Sequence, residues 1–149
     1  MSGVASIDNL IQHFQSFEER VDSIIRQALE ENESAVIGLN IYTQLYDEGI
    51  RSDGRPVVPK YKPLTIQIKL ENNQPTDRVT LRDTGNFHES FMIVFEEDSF
   101  YITSADSKTT IVTHKYGKKI FGLTDENLAS IIKQYVAPLV EYELKNFKK

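Results

Sequence analysis

The chain has 149 residues, of which 40% are hydrophobic and 26% charged; that suffices for a core without staples and is too short for two full-sized domains. It has no cysteine, which excludes disulfides, thiolate metal sites and a cysteine nucleophile. The net charge of −5 argues against a general nucleic-acid binder, whose mark is a basic patch.

Three scattered histidines (His13, His88 and His114) leave little for a histidine-rich metal site. No stretch reaches the roughly 18 apolar residues of a membrane span. The Met1–Asn9 start lacks the basic and apolar regions of a signal peptide, and glycine at position 3 does not fit a myristoylation site. The expectation is a soluble, cofactor-free protein made in the cytoplasm. Its charge is uneven: residues 1–50 hold two arginines against nine acids, a net of −7, and residues 51–149 carry +2.

Residues 1–48 predict a helical segment. Ile7, Leu10, Phe14, Phe17, Val21, Ile24 and Ala28 recur at alternating steps of three and four, with Glu18, Glu19, Arg20, Asp22 and Arg26 opposite. Ser6 or Asp8 can cap its start. The stripe resumes at Ala35, Leu39, Tyr42 and Leu45, while Glu31 and Gly38 interrupt one row. A straight helix over 7–46 would be about 60 Å long, longer than a compact domain. A kink or break near Glu31–Ser34 is therefore expected, or a helix that packs on a neighbouring subunit. Gly49 ends it.

Residues 49–63 predict an extended proline-rich arm or a surface loop over the core, because Asp53-Gly54 is a turn signal and Pro56, Pro59 and Pro63 delete backbone donors. Residues 64–123 predict the sheet region. Leu64, Ile66, Ile68 and Leu70 alternate as in a strand, although a short helix is also tolerated. A loop over Glu71–Asp77 leads to a short strand at Arg78–Arg82. Phe91–Phe95 and Phe100–Thr103 flank Glu96–Ser99 as the clearest hairpin. Thr109–Thr113 reads as a further strand. Residues 124–149 predict a C-terminal helix with Thr124 as N-cap, acids Asp125 and Glu126 in its first turn, and Lys145, Lys148 and Lys149 at its end. Pro138 should bend it. The architecture is a single α+β domain over 1–149: a long N-terminal helix, an arm, an antiparallel sheet with a central hairpin, and a C-terminal helix.

Candidate chemistry is sparse. Asp83-Thr84-Gly85 matches the aspartic-protease triplet, which needs a second carboxylate from another lobe or a homodimer. Arg82 and Asn86 flank it where apolar and small residues belong. Ser90 beside His88 and Glu89 is sequence adjacency, whereas triads converge in space. The glycines are too dispersed for a phosphate cradle. Glu96, Glu97 and Asp98 solvate a hairpin tip. Lys115, Lys118 and Lys119 with Tyr116 suit nucleic acid or a sheet edge guarded by lysines, the commoner case. The expectation is a protein without catalytic residues.

Three ordered segments resemble a known family. Ser52-Asp-Gly-Arg-Pro-Val-Val-Pro-Lys-Tyr-Lys-Pro-Leu-Thr-Ile-Gln-Ile-Lys69, Val79-Thr-Leu-Arg-Asp-Thr-Gly-Asn-Phe-His-Glu-Ser-Phe91 and Tyr116-Gly-Lys-Lys-Ile-Phe-Gly-Leu-Thr-Asp-Glu-Asn-Leu-Ala-Ser-Ile-Ile132 are similar to motifs of the Mu-like phage virion morphogenesis family, also described as tail completion proteins. The matching residues are Asp53, Gly54, Pro56, Pro59, Thr65, Lys69, Leu81, Thr84, Gly85, Phe87, Ser90, Phe121, Gly122 and Leu123. Phe87 replaces an aliphatic residue, Val57-Val58 an aromatic, and Lys118-Lys119-Ile120 an arginine and proline, departures that fit either a divergent member or a neighbouring neck protein.

The resemblance implies a structural virion protein of a tailed phage or prophage, assembled in the host bacterial cytoplasm. It implies action in head–tail joining or tail completion, as a homo-oligomeric ring touching neighbouring neck or tail proteins, with no cofactor and no membrane. An acidic face at Glu18, Glu19 and Asp22 would repel DNA passing through such a ring. The alternatives are a dimeric aspartic-protease-like enzyme using Asp83-Thr84-Gly85 and a small mobile-element adaptor.

Overall fold

The computed structural model describes residues 7–97 and 99–147. Ser6, Asp98, Lys148 and Lys149, which entered the expectations above, lie outside the described residues. Helices and one antiparallel hairpin make an α+β protein with a long N-terminal helix and a C-terminal helix. Its internal contacts form two compact units, residues 1–32 with 130–149 and residues 33–129.

In the first unit, α1 (Ile7–Glu31) stops at Asn32, whose backbone and side-chain N–H groups both donate to Ala28 O, at 3.2 and 2.8 Å. The break falls where the length argument required one. The returning chain is a π-helical turn (Ile132–Val136) followed by α7 (Ala137–Asn146). Pro138 explains the turn: it lacks an N–H, and its ring collides with the carbonyl four residues earlier, so the helix widens just before it. α7 runs antiparallel to α1. Phe147 stacks on His13 with ring centres 4.4 Å apart and touches Phe17 at 4.6 Å, while Glu143 pairs with Arg20 at 2.9 Å. Ala28, Leu29, Ile131 and Val136 are buried, but Ile7, Leu10, Ile11 and Phe14 are 47–75% exposed. Three of the seven residues of the apolar stripe, Ile7, Leu10 and Phe14, therefore stay largely uncovered by the described residues.

The second unit begins with α2 (Glu33–Gly38), continued by a π-helical segment (Leu39–Glu48) that closes on Gly49 at φ 64°. Residues 50–62 form a surface loop rather than a free arm. Ile50 bridges Pro56, Val57 N–H donates to Gly49 O at 2.8 Å, and the Val57 side chain is buried. After it come α3 (Pro63–Glu71), α4 (Asn86–Glu89), strands β1 (Phe91–Phe95) and β2 (Phe100–Ser104), α5 (Thr109–Tyr116) and a 3-10 turn (Lys118–Ile120). The unit boundary falls inside α6 (Asp125–Ile131), whose start Thr124 caps through Oγ1 to Asn127 N–H at 3.2 Å. The core holds Val36, Ile41, Leu45, Val57, Val79, Phe87, Phe91, Ile93, Ile102 and Ile120.

Three expected strands are not strands. Residues 64–70 form α3. Pro63 occupies the first helical turn and Lys62 before it is extended, which is the arrangement proline favours at a helix start. Leu64, Ile68 and Leu70 are exposed and Lys69 is buried, the reverse of the strand reading. Residues 109–116 form α5 because Asp106 accepts the Lys108 N–H at 2.7 Å and the Thr109 hydroxyl bonds Asp106 O at 2.6 Å, a side-chain start that overrides β-branched preference. Residues 78–82 are irregular: Thr80 N–H donates to Tyr61 OH at 2.9 Å, and Leu81 has φ 57°. Among the described residues the sheet is therefore the hairpin alone, in register Phe91↔Ser104 to Phe95↔Phe100.

Candidate functional site

The fourteen matching residues all lie in the 33–129 unit, and side-chain bonds link the three segments that carry them. The first segment is set by Asp53. Its Oδ1 accepts the Arg55 N–H at 3.0 Å, and its Oδ2 lies 2.8 Å from Arg51 Nη2 and 3.7 Å from Lys119 Nζ. The bond from the Arg55 amide is the largest cause that holds the Asp53 carboxyl below its usual range; Arg51 reinforces it against opposing desolvation. Gly54 adopts φ 79° in the same turn. Ser52 N–H donates to Lys119 O at 2.8 Å, which ties the first segment to the third. A Cβ on Gly122 would stand 3.3 Å from Ser52 Cβ, so the close approach there needs glycine. Pro56 and Pro59 lie exposed on the loop, and Val58–Pro59 is a cis peptide.

Lys69 ties the first segment to the second. It is 8% exposed, and its ammonium donates to Arg82 O at 2.7 Å and Gln74 Oε1 at 3.0 Å while sitting 4.8 Å from the Tyr61 ring centre. Two carbonyl oxygens and a ring face replace the water that burial removes. Thr65 is half-buried one turn earlier on α3, and Leu81 is half-buried in the stretch that Lys69 holds. Thr84 Oγ1 accepts the Asn86 N–H at 3.4 Å, and Gly85 at φ 95° turns the chain into α4.

Phe87, Phe91 and Phe121 form an aromatic cluster that joins the second and third segments. Phe87 meets Phe91 edge to face at 5.2 Å and Phe91 meets Phe121 at 5.0 Å. Burying the Phe87 and Phe91 rings contributes roughly 2–3 kcal/mol each, and Phe121 is half-buried against them. Ser90 Oγ donates to Phe87 O at 2.6 Å and also bonds Ser104 Oγ, which fixes the entry of β1 beside the exit of β2. Leu123 is half-buried beyond Gly122.

Sequence reasoning missed the residues that hold the third segment in place. Asn40 and Gln44 are 0% exposed. Asn40 donates to Ile120 O and accepts the Gly122 N–H, both at 2.9 Å. Gln44 donates to Gly122 O at 2.9 Å and accepts from Thr124 N–H at 2.9 Å and Asn127 Nδ2 at 2.8 Å. The signal was present: two amides four residues apart, each followed by a core aliphatic (Ile41 and Leu45), lie on an apolar helix face, where amides need fixed partners.

His88 was also missed. It is 4% exposed, with Nε2 2.9 Å from Thr80 O and Nδ1 unpartnered, so the ring is neutral and donates through Nε2. Burial pushes its pKa down to about 4; the Thr80 carbonyl opposes this, and the charges of Arg82 and Lys69 add to it.

Asp83 lies exposed beside a cleft of about 220 Å³ with Lys69, Arg82 and Lys108, and no other acid lines it among the described residues. The histidine and serine near it are committed elsewhere: His88 to Thr80, and Ser90 to Phe87 and Ser104. Among the described residues no group of three or more His, Asp or Glu is placed to hold a metal ion, and no helix is long and apolar enough to cross a membrane. Glu18, Glu19 and Asp22 are exposed on α1 in the other unit. Comparison with protein-family profiles, curated proteins and solved structures finds no match to this chain.

Proposed function

We propose that this chain is a structural subunit of a tailed-bacteriophage or prophage particle, a divergent relative of the Mu-like virion morphogenesis proteins that acts in head–tail joining or tail completion. One observation carries the reading. The three segments that resemble the family, spread over residues 52–132, interlock through Ser52–Lys119, Lys69–Arg82 and Phe87–Phe91–Phe121. Motifs that fold into one framework favour a shared scaffold over chance similarity. The residues of that framework are spent on bonds to one another, which suits a building block.

The exposed apolar run Ile7, Leu10, Ile11 and Phe14 supports assembly with further copies, since such a stripe in water favours association. In a ring, Glu18, Glu19 and Asp22 would line the path of DNA and keep phosphates from adhering. Deleting the gene from its phage or prophage and examining the lysate by electron microscopy tests the proposal. It predicts unjoined heads and tails or unfinished tails, restored by the gene in trans; intact infectious particles from the deletion would contradict it.

A further inference from the structure

Among the described residues strand β2 pairs with β1 alone, and its other edge meets no described strand. The ladder's phase follows from three bonds: Glu96 N–H to Ser99 O at 2.8 Å, Ala105 N–H to Ser90 O at 3.0 Å, and Ile93 N–H to Glu33 Oε1 at 3.1 Å. Bonded and non-bonded pairs alternate along an antiparallel ladder. The pairs 92:103 and 94:101 therefore exchange hydrogen bonds, while 93:102 and 95:100 point their peptide groups outward.

On the β1 side the outward Ile93 N–H is taken by Glu33. On the β2 side Ser104 O receives the Thr109 hydroxyl at 3.3 Å. The outward N–H and C=O groups of Phe100 and Ile102 bond no described residue. Both residues line a groove, and peptide groups withdrawn from bulk water are nearly always paired in proteins.

This edge lies along a groove of about 630 Å³ that also includes Phe121, Leu123 and Leu128. Thr109 and Thr113 of α5 line it too, but their hydroxyls already bond backbone carbonyls of their own helix and its entry. Among the described residues Lys118 is the single charged side chain lining it, exposed and in no ion pair with another described residue.

We propose that this groove receives an extended segment of a partner protein as a third strand on β2, with apolar side chains against Phe121, Leu123 and Leu128 and a carboxylate opposite Lys118. Main-chain bonds to the Phe100 and Ile102 peptide groups supply affinity, and the alternating side chains supply selectivity. The exposed ammonium of Lys118 calls for an anionic side chain, so charge complementarity points to a partner protein that presents an acidic extended segment. The inference goes beyond the virion reading and does not depend on it.

The test uses the full chain and the peptide acetyl-Glu-Val-Thr-Val-Thr-Val-amide, with a twin carrying Lys for Glu and a third version N-methylated at alternate residues. Amide hydrogen exchange at Phe100 and Ile102 should slow by at least about tenfold on saturation with the first peptide. N-methylation should weaken binding by at least about tenfold, and Lys118→Glu, a surface change, should reverse the preference between the Glu and Lys peptides. Unchanged exchange at both amides, or equal binding of the N-methylated peptide, would overturn the proposal. Protection of these amides that rises with protein concentration in the absence of peptide would make a second copy the occupant and overturn it as well.

Discussion

Lowering the pH from about 7.5 to about 5 should weaken the 33–129 unit by about 2 kcal/mol through His88 alone. In the unfolded chain the imidazole titrates at its ordinary value of 6.5, and in the fold burial holds it near 4. Below 6.5 the unfolded chain binds the proton more readily than the folded one, so stability falls as the pH falls. The contribution is fully present above 6.5, declines across the window between the two values, and levels off below about 4. At about 1.36 kcal/mol per pKa unit, the full difference is about 3 kcal/mol, of which about 2 is lost by pH 5. The physical cause is burial: protonation at the unpartnered Nδ1 would place a charge away from water, in a site that already faces Arg82 and Lys69. Urea unfolding followed by circular dichroism at the two pH values reads the loss. His88→Gln keeps a donor for Thr80 O but cannot titrate, so it should be nearly insensitive over the same interval. A wild-type stability that is flat from pH 7.5 to 5, or a ring that titrates near 6.5 by NMR, would refute the reasoning.

Gln44→Leu leaves the half-buried carbonyl of Gly122 and amide of Thr124 without these partners, and should cost about 2–4 kcal/mol in urea unfolding; a loss under about 1 would mean that the strap is not structural. Gly49→Ala should destabilise by about 1–3 kcal/mol, because φ is 64° and the new Cβ would sit 2.7 Å from Arg78 Cβ. Gly54→Ala, at φ 79° with open space around it, should cost less than Gly49→Ala, and the reverse order contradicts the packing argument. Replacing Ile11 and Phe14 by Ser should leave helicity intact and reduce association in sedimentation velocity, whereas unchanged sedimentation contradicts assembly through this face. Reversing Glu18, Glu19 and Asp22 to Lys should spare folding but lower particle infectivity; unaltered infectivity counts against an acidic channel.

The helices at both ends were legible because their signals are local and repeated. The three-and-four spacing from Ile7 to Ala28, Gly49 as a stop, Thr124 as a cap and Pro138 as a bend each act within a turn or two of chain. The hairpin was legible for the same reason. The failures at 64–70 and 109–113 share a cause: short β-branched runs fit either structure, and their flanks decided. Pro63 set a helix start in one case and the Asp106–Thr109 bonds did so in the other. The site was half legible. Motif order located Asp53, Lys69, Phe87 and Gly122, but what links them depends on partners about 80 residues away, such as Asn40 to Ile120 and Gln44 to Gly122. No local pattern encodes such a pairing. The −7 of residues 1–50 is divided in the structure: Asp8, Glu18, Glu19, Asp22, Glu30 and Glu31 lie on α1, whereas Glu33, Asp47 and Glu48 belong to the 33–129 unit.

The most direct test of the virion reading is the protein content of purified, infectious particles, measured by quantitative mass spectrometry. A structural subunit of the neck or tail end predicts this chain in every particle at a fixed small copy number, set by one ring and unchanged between preparations. Its absence from infectious particles, or a copy number that varies freely between preparations, would contradict the proposal.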